Sequence, residues 1–164
     1  MSHFTVLVIT RKKTKEGLNP ELEVEKLLSP YNEHDNAPPH PKECFCTSES
    51  GKGKPKKDCE YCEGSGVSLS TYNESSKWDW YEIGGRWRGS LLKNMYSSDV
   101  EFVRDIRKGF VPFAFVTPDY LWHENAKMGW FAITTDENLE FNEEWESALN
   151  TYSDHVAVLV DCHI

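Results

Sequence analysis

Residues 4–9, FTVLVI, are apolar on both faces of an extended chain. A strand with one solvated face alternates polar and apolar residues, whereas a strand covered on both faces lacks that alternation. Residues 155–160, HVAVLV, have the same character at the other end of the sequence. We therefore predict two central β-strands that are far apart in sequence and belong to one sheet.

Three segments between these strands carry the signals of helix ends. Residues 19–21, NPE, combine a capping asparagine with a proline and an acid in the first turn, and Ser29-Pro30 stops that helix. Ser98 with Glu101 three residues later matches a capping box, and residues 142–144, NEE, begin a third helix. We predict an α+β fold in which about three helices cover one side of a single mixed or antiparallel sheet of ferredoxin-like topology.

Length and charge restrict the class of protein. The chain has 164 residues, which fits one α+β domain spanning residues 1–164, and its formal net charge is −9. That charge disfavours nucleic-acid binding, because such binding is driven by neutralisation of phosphates. No stretch reaches the about 20 apolar residues that span a bilayer, and the N-terminus lacks the pattern of a signal peptide. We expect a cytoplasmic protein with no membrane partner, in a compartment that keeps thiols reduced.

Residues 31–68 are rich in proline, glycine, lysine and serine and poor in aliphatic residues, which is typical of an insertion. Four of the five cysteines lie there as two close pairs: Cys44, Cys46, Cys59 and Cys62. Four thiolates can close a tetrahedron around zinc and leave no position open for a catalytic water. We predict a structural zinc site, with His40 as an alternative ligand if the first pair is strained. Free thiols and a redox CxxC pair are the other interpretations, and Cys162 is predicted to be a buried thiol.

Residues 70–89, STYNESSKWDWYEIGGRWRG, concentrate aromatic side chains around a Gly-Gly turn. In an extended chain Trp78 and Trp80 would share one face, while Asp79 and Tyr81 would share the other. Three interpretations stay open: a packed hairpin, a binding surface and a catalytic centre. Stacking rings beside an arginine suit a base and a phosphate together.

From these patterns we predict a binding protein whose partner is another protein or a nucleotide-like small molecule. The candidate ligand-binding residues are Trp78, Asp79, Tyr81, Arg86, Trp87 and His123. The first alternative is a small hydrolase or nucleotidyl-processing enzyme that uses Asp79, His123 and Arg86, with His163 as a further acid–base group. The second is a zinc-finger nucleic-acid binder, which the net charge argues against.

Two resemblances extend this interpretation. Residues 59–66, CEYCEGSG, resemble the CxxCxGxG repeat of the cysteine-rich domain in J-domain chaperones. The segments STYN at 70–73, SKWDWY at 76–81, IGGRW at 83–87 and VDCHI at 160–164 resemble a family of uncharacterised proteins of tailed bacteriophages and prophages. The second resemblance implies a small accessory protein made in the bacterial cytoplasm and directed at host factors or host defence.

Overall fold

The structure is a computed structural model that describes residues 2–35, 37–47, 53–92, 98–129 and 132–164. The chain divides into two compact units. We call them the sheet unit, residues 1–32 and 75–164, and the cysteine unit, residues 33–74. Neither α-helix found in the described ranges has the length and apolarity of a membrane-crossing helix.

The described residues form two α-helices, ten β-strands and several short 3₁₀ turns. The helices are α1, Pro20–Leu28, and α2, Phe141–Thr151. The strands are β1 His3–Ile9, β2 His40–Glu43, β3 Val67–Ser70, β4 Trp80–Ile83, β5 Val100–Phe102, β6 Ala114–Val116, β7 Trp122–Glu124, β8 Lys127–Met128, β9 Thr134–Thr135 and β10 Val156–His163.

The two predicted central strands are confirmed and pair with each other. The main sheet has the order β4-β10-β1-β6-β7, and β5 also pairs with β10. Strand β1 is antiparallel to β10 from His3 opposite His163 to Ile9 opposite Ala157, and it is parallel to β6. Because helices cover both faces of the sheet, both strands are apolar on both sides, as their sequences indicate.

Each face of the main sheet packs against one helix. Val24, Leu27 and Leu28 of α1 pack on the face that carries Val6 and Val160. The opposite face packs against α2 through apolar side chains of both elements: Leu7, Ile9, Phe115, Leu159, Phe141, Trp145 and Ala148. The expectation that the helices lie on one side of the sheet is therefore wrong.

The predicted α+β class with about three helices over a ferredoxin-like sheet is also wrong. The third helix was predicted after Ser98, but that residue lies in the turn before β5 instead of capping a helix. The Ser98 hydroxyl accepts from Val100 N–H at 3.0 Å and donates to Val100 O at 2.7 Å. Val100 and Phe102 then pair with β10, since that central strand offers unpaired backbone groups beyond the end of β4. A local capping signal is overridden by pairing with a distant strand.

The cysteine unit is built around a two-stranded antiparallel sheet of β2 and β3. Its buried cluster consists of the thiols of Cys44, Cys46 and Cys62, with Cys59 packed beside them. Among the described residues of this unit, no aliphatic or aromatic side chain is buried. The described part of the unit therefore lacks the apolar core that stabilises an ordinary small domain.

Candidate functional site

The four cysteines of the insertion come together in the cysteine unit. Their sulfur atoms, from Cys44, Cys46, Cys59 and Cys62, all lie within 4.8 Å of one another. Cys44 Sγ is 3.6 Å from Cys59 Sγ, and Cys46 Sγ is 3.5 Å from Cys62 Sγ. A tetrahedral ion with sulfur ligands at about 2.3 Å separates those ligands by about 3.8 Å. The arrangement is therefore compatible with one structural metal ion.

Backbone hydrogen bonds hold the turns that carry the thiols. The Cys44 N–H donates to Gly66 O at 2.9 Å, which joins the end of β2 to the start of β3. Two further bonds close the CxxC turn: Glu63 N–H donates to Cys59 O and Ser65 N–H donates to Cys62 O, both at 2.8 Å. These turns direct the side chains of both cysteine pairs toward a common point.

The other two metal-related predictions concern His40 and Cys162. His40 lies outside the four-sulfur group, with Nε2 3.4 Å from a carboxylate oxygen of Glu74. Cys162 lies in β10 and is fully buried, so its prediction as a buried thiol is confirmed. Burial, followed by the nearby carboxylates of Asp161 and Asp79, raises the pKa of the Cys162 thiol well above its usual value.

The thiols of the metal centre differ in acidity. Amide hydrogen bonds from Tyr61 and Cys62 are the largest influences on Cys59 and lower its pKa to about 7. An amide hydrogen bond from Lys56 lowers the pKa of Cys46, but burial and the neighbouring thiols outweigh it and raise that pKa to about 12. One thiolate is thus favoured before a metal binds, while binding must displace the proton of Cys46.

We expect metal retention to fall as the pH is lowered. Thiolates bind the ion and thiols do not, so protons compete with the ion for the four sulfur atoms and release it as the pH falls. Dialysis at about pH 8, 7, 6 and 5 followed by elemental analysis would measure this, with full occupancy at the alkaline end and loss of more than about half at the acidic end. Occupancy that does not change over this range would contradict thiolate ligation.

Trp78 and Trp80 do not share a face, so the expected alternation from Trp78 to Tyr81 is wrong. Trp78 makes an isolated bridge to Asn32. Residue 79 then forms a bend between Trp78 and the first residue of β4. Trp78 is 6% exposed in the α1-side core, and its Nε1 donates to Leu28 O at 3.0 Å. Trp80 lies on the opposite face of the sheet and is 44% exposed.

Two other candidate ligand-binding residues pack against core clusters. Tyr81 lies edge-on to Trp78 with a ring-centroid distance of 5.2 Å, and burial, followed by the charge of Glu25, raises its pKa. Trp87 packs against the α2-side core. Its buried Nε1 has no hydrogen-bond partner within the described residues. Their assignment to a ligand surface stays a prediction.

Asp79, Arg86 and His123 lie in different places. Asp79 precedes β4 and pairs with His163, whose Nδ1 donates to Asp79 Oδ1 at 2.6 Å. The Arg86 side chain is exposed, and in the described part of the chain it makes no salt bridge. His123 lies in β7 at the other end of the strand order, roughly four strand spacings or about 19 Å from β4. One reaction centre is therefore not formed by these three side chains together.

Comparison with known proteins gives no match to a family model, a curated protein or a solved structure.

His123 lines a cleft of about 280 Å³ between β7 and α2. Its Nδ1 lies 3.0 Å from Glu144 Oε2, and its ring stacks on Phe115 at a centroid distance of 4.5 Å. Thr117 and Tyr152 also line the cleft. Glu144 was not among the predicted residues, because no local pattern links it to a histidine 21 positions earlier.

The Gly84-Gly85 pair allows the backbone to approach two carboxylates. A Cβ on Gly85 would lie 2.4 Å from Asp161 Cβ, and one on Gly84 would lie 2.2 Å from Asp99 Oδ2. Both glycines have positive φ, at 44° and 73°. The turn lets Arg86 N–H donate to Asp161 Oδ2 at 3.0 Å. The glycines of the IGGRW segment are thus explained by carboxylate contacts within the protein.

Asp161 has a second partner that the sequence analysis missed. His3 Nδ1 lies 3.0 Å from Asp161 Oδ1, although the two residues are 158 positions apart in sequence. Asp161 is 1% exposed, so both of its carboxylate oxygens are bonded away from solvent. His3 and Asp161 are polar residues in otherwise apolar strands. That signal could have revealed their contact, provided that the pairing of β1 with β10 was known.

Proposed function

We propose that this chain is a zinc-binding protein and that the ion is structural. The main support is the four-sulfur group, which lies in a unit whose described residues bury no aliphatic or aromatic side chain. An ion held by four thiolates supplies folding energy that such a unit otherwise lacks. Zinc is the metal that best suits four thiolates in a tetrahedron, particularly in the reducing cytoplasm in which we place the protein.

We propose further that the cysteine unit binds a protein. Five large apolar or aromatic side chains of this unit are exposed: Phe45, Tyr61, Val67, Leu69 and Tyr72. Phe45 lies between Cys44 and Cys46, and Tyr61 lies between Cys59 and Cys62. Metal ligation fixes the backbone on both sides of these two rings, so zinc would hold them in a binding-competent position.

The character of these side chains favours a protein partner. Val67 and Leu69 alternate along β3 and therefore project from one face of the small sheet. Aliphatic side chains offer nothing specific to a phosphate or a base, whereas they suit the apolar centre of a protein interface. The net charge of −9 opposes nucleic acid. The resemblance to phage proteins indicates a host protein of the bacterial cytoplasm, including those of host defence, as the partner.

The test is a triple substitution, Phe45→Ser, Tyr61→Ser and Leu69→Ser. A photoreactive residue at Tyr72 would identify a partner in host cytosol, and affinity for the purified partner would then be measured. We expect the triple variant to lose at least about 100-fold in affinity, since exposed aromatic anchors dominate interfaces. Zinc content should be unchanged.

The matched control is the double substitution Ile133→Ser and Leu139→Ser. These residues are also large, apolar and exposed, but they lie in the sheet unit. We expect this variant to bind the partner with the affinity of the native protein. The assignment to the cysteine unit would be contradicted if the triple variant bound the partner as tightly as the native protein, or if the triple and double variants lost the same amount of affinity.

A further inference from the structure

A second cleft, of about 430 Å³, lies between α2 and the segment that follows β5. Its lining residues fall within 103–111 and 145–153, so the whole cleft belongs to the sheet unit. It shares no residue with the cleft that His123 lines. A volume of this size is typical of sites that accept a small ligand or an anchoring side chain of a partner.

The charge of this cleft is opposite to that of the whole chain. Arg104, Arg107 and Lys108 line it, and Glu146 is the one carboxylate among its described lining residues, so the formal charge of the lining is +2. The chain as a whole carries −9. Cations concentrated at one place in an acidic protein create a local positive potential that attracts anionic groups. We call this feature the basic cleft.

The three cations of the basic cleft are not neutralised by carboxylates of the described residues. Elsewhere in the sheet unit Lys13, Lys15 and Lys77 form salt bridges at 2.6–2.8 Å. The cations of the cleft form none within the described ranges, and all three residues are exposed. Their charges are therefore available to a partner in solution.

The two arginines of the basic cleft are held at separate positions. The guanidinium carbon of Arg104 lies 4.3 Å from the centroid of the Phe102 ring, and that of Arg107 lies 5.9 Å from the centroid of the Phe110 ring. A guanidinium group stacked on a ring keeps its N–H donors available at its edge for a carboxylate. Because the two groups stack on different rings, they suit two separate carboxylates better than one compact phosphate.

The accessible apolar lining of the basic cleft is aliphatic. Ile106 and Leu149 are half-buried, and Val111 is 49% exposed. The aromatic residues of the lining, Phe110 and Trp145, are only 7% and 2% exposed. The indole Nε1 of Trp145 donates to Phe110 O at 2.9 Å, so the polar atom of this ring is bonded within the protein. The cleft therefore offers an aliphatic surface bordered by cations.

We propose that the basic cleft binds an acidic peptide segment of a protein. One aliphatic side chain of the segment enters the cleft, and carboxylates on both sides of it pair with Arg104, Arg107 and Lys108. An apolar surface bordered by cations is complementary to an apolar residue bordered by acids. This binding is independent of the cysteine unit and of the partner proposed for it, because every lining residue belongs to the sheet unit.

A nucleic acid fits the basic cleft less well than an acidic peptide. Bases bind by stacking on exposed aromatic rings, whereas the two rings of this lining are buried. Three cations neutralise few phosphates, and the net charge of −9 repels an extended polyanion. A short peptide carries few charges and has an aliphatic side chain that uses the apolar lining.

The test measures the binding of defined peptides to the full metal-loaded chain by NMR titration at low salt. The probe is the end-blocked peptide EELEE, with EESEE as the control for the aliphatic side chain and KKLKK as the control for charge. We expect EELEE to shift the amide signals of residues 103–111 and the indole signal of Trp145. EESEE should bind at least about 5-fold more weakly. KKLKK should not bind, and the affinity for EELEE should fall as salt is added.

Reversal of the three charges tests the cations. The triple variant Arg104→Glu, Arg107→Glu and Lys108→Glu should bind EELEE at least about 10-fold more weakly, because repulsion replaces attraction at the border of the cleft. All three residues are exposed, so we expect the amide spectrum of the free variant to show an intact sheet unit.

The matched control is the triple variant Lys12→Glu, Lys26→Glu and Lys127→Glu. These lysines are exposed residues of the sheet unit that do not line the cleft, and their reversal changes the net charge by the same amount. We expect this variant to lose no more than about 2-fold in affinity, from the long-range effect of net charge.

Three results would overturn the proposal. The first is no shift of the signals of residues 103–111 at about 1 mM EELEE. The second is an equal loss of affinity in the two charge-reversal variants. The third is tighter binding of a single-stranded oligonucleotide than of EELEE. The Phe45→Ser, Tyr61→Ser, Leu69→Ser variant should bind EELEE with native affinity, so failure of this proposal and failure of partner binding by the cysteine unit are distinguishable.

Discussion

Removal of the metal ion is expected to unfold the cysteine unit and leave the sheet unit folded. Structural zinc contributes on the order of 10 kcal/mol or more to the folding of small metal-binding units, and the described residues of this unit form no apolar core that could replace it. The sheet unit should persist, because its two large buried clusters contain no residue of 33–74. Amide NMR spectra before and after chelation would show collapse of the signals of residues 33–74 only.

Substitution of the ligands gives the same prediction without a chelator. Cys59→Ser with Cys62→Ser should reduce bound zinc from one equivalent to nearly none, since two ligands are lost. Cys162→Ser is the matched control, because that cysteine is buried in β10 and lies outside the four-sulfur group. Preserved signals for residues 33–74 in the metal-free protein would contradict a structural role for the ion.

Gly85→Ala is expected to destabilise the sheet unit strongly. The added methyl group would lie 2.4 Å from Asp161 Cβ and 2.6 Å from its Oδ2, and φ at this position is positive. Asp161 is on the central strand β10, so neither the turn at Gly85 nor Asp161 can move away without disrupting the sheet. We expect a loss of about 3–4 kcal/mol in the free energy of unfolding, from the combined steric conflict and backbone strain. Urea denaturation followed by tryptophan fluorescence would measure it.

Gly17→Ala separates the steric conflict from the strain. Gly17 also has positive φ, at 66°, but a Cβ there would meet no atom within 4 Å. Its substitution should therefore cost only the backbone strain of about 1 kcal/mol. Equal losses at Gly85 and Gly17 would mean that the contact with Asp161 contributes nothing to the requirement for glycine.

The sequence predicts those parts of the fold that depend on local patterns and that no pairing with a distant strand overrides. The apolar character of residues 4–9 and 155–160 identifies the two central strands, and capping residues identify α1. The segment after Ser98 was mistaken for a helix because a capping box and a serine turn use the same residue types. The decision between them depends on the backbone of β10, which a local pattern does not contain.

The metal centre was predictable and the contact between His3 and Asp161 was not, for a related reason. The four cysteines lie within 19 consecutive positions, and their pairing is readable from spacing alone. The His3–Asp161 contact joins opposite ends of the chain and requires the register of β1 on β10 to be known. Trp78 and Trp80 were assigned to one face because the bend at residue 79 leaves no trace in the composition.

The pairing of β1 constrains how the protein is made. During synthesis β1 emerges early, but its parallel partner β6 begins at residue 114 and its antiparallel partner β10 at residue 156. At about 5–20 residues per second, the apolar strand waits on the order of ten seconds for its final neighbour. Until then its edge for β10 has no partner, and its face for α2 stays open until residue 151 has been made. The nascent chain is therefore a substrate for ribosome-associated chaperones, and the centre of the sheet closes late in synthesis.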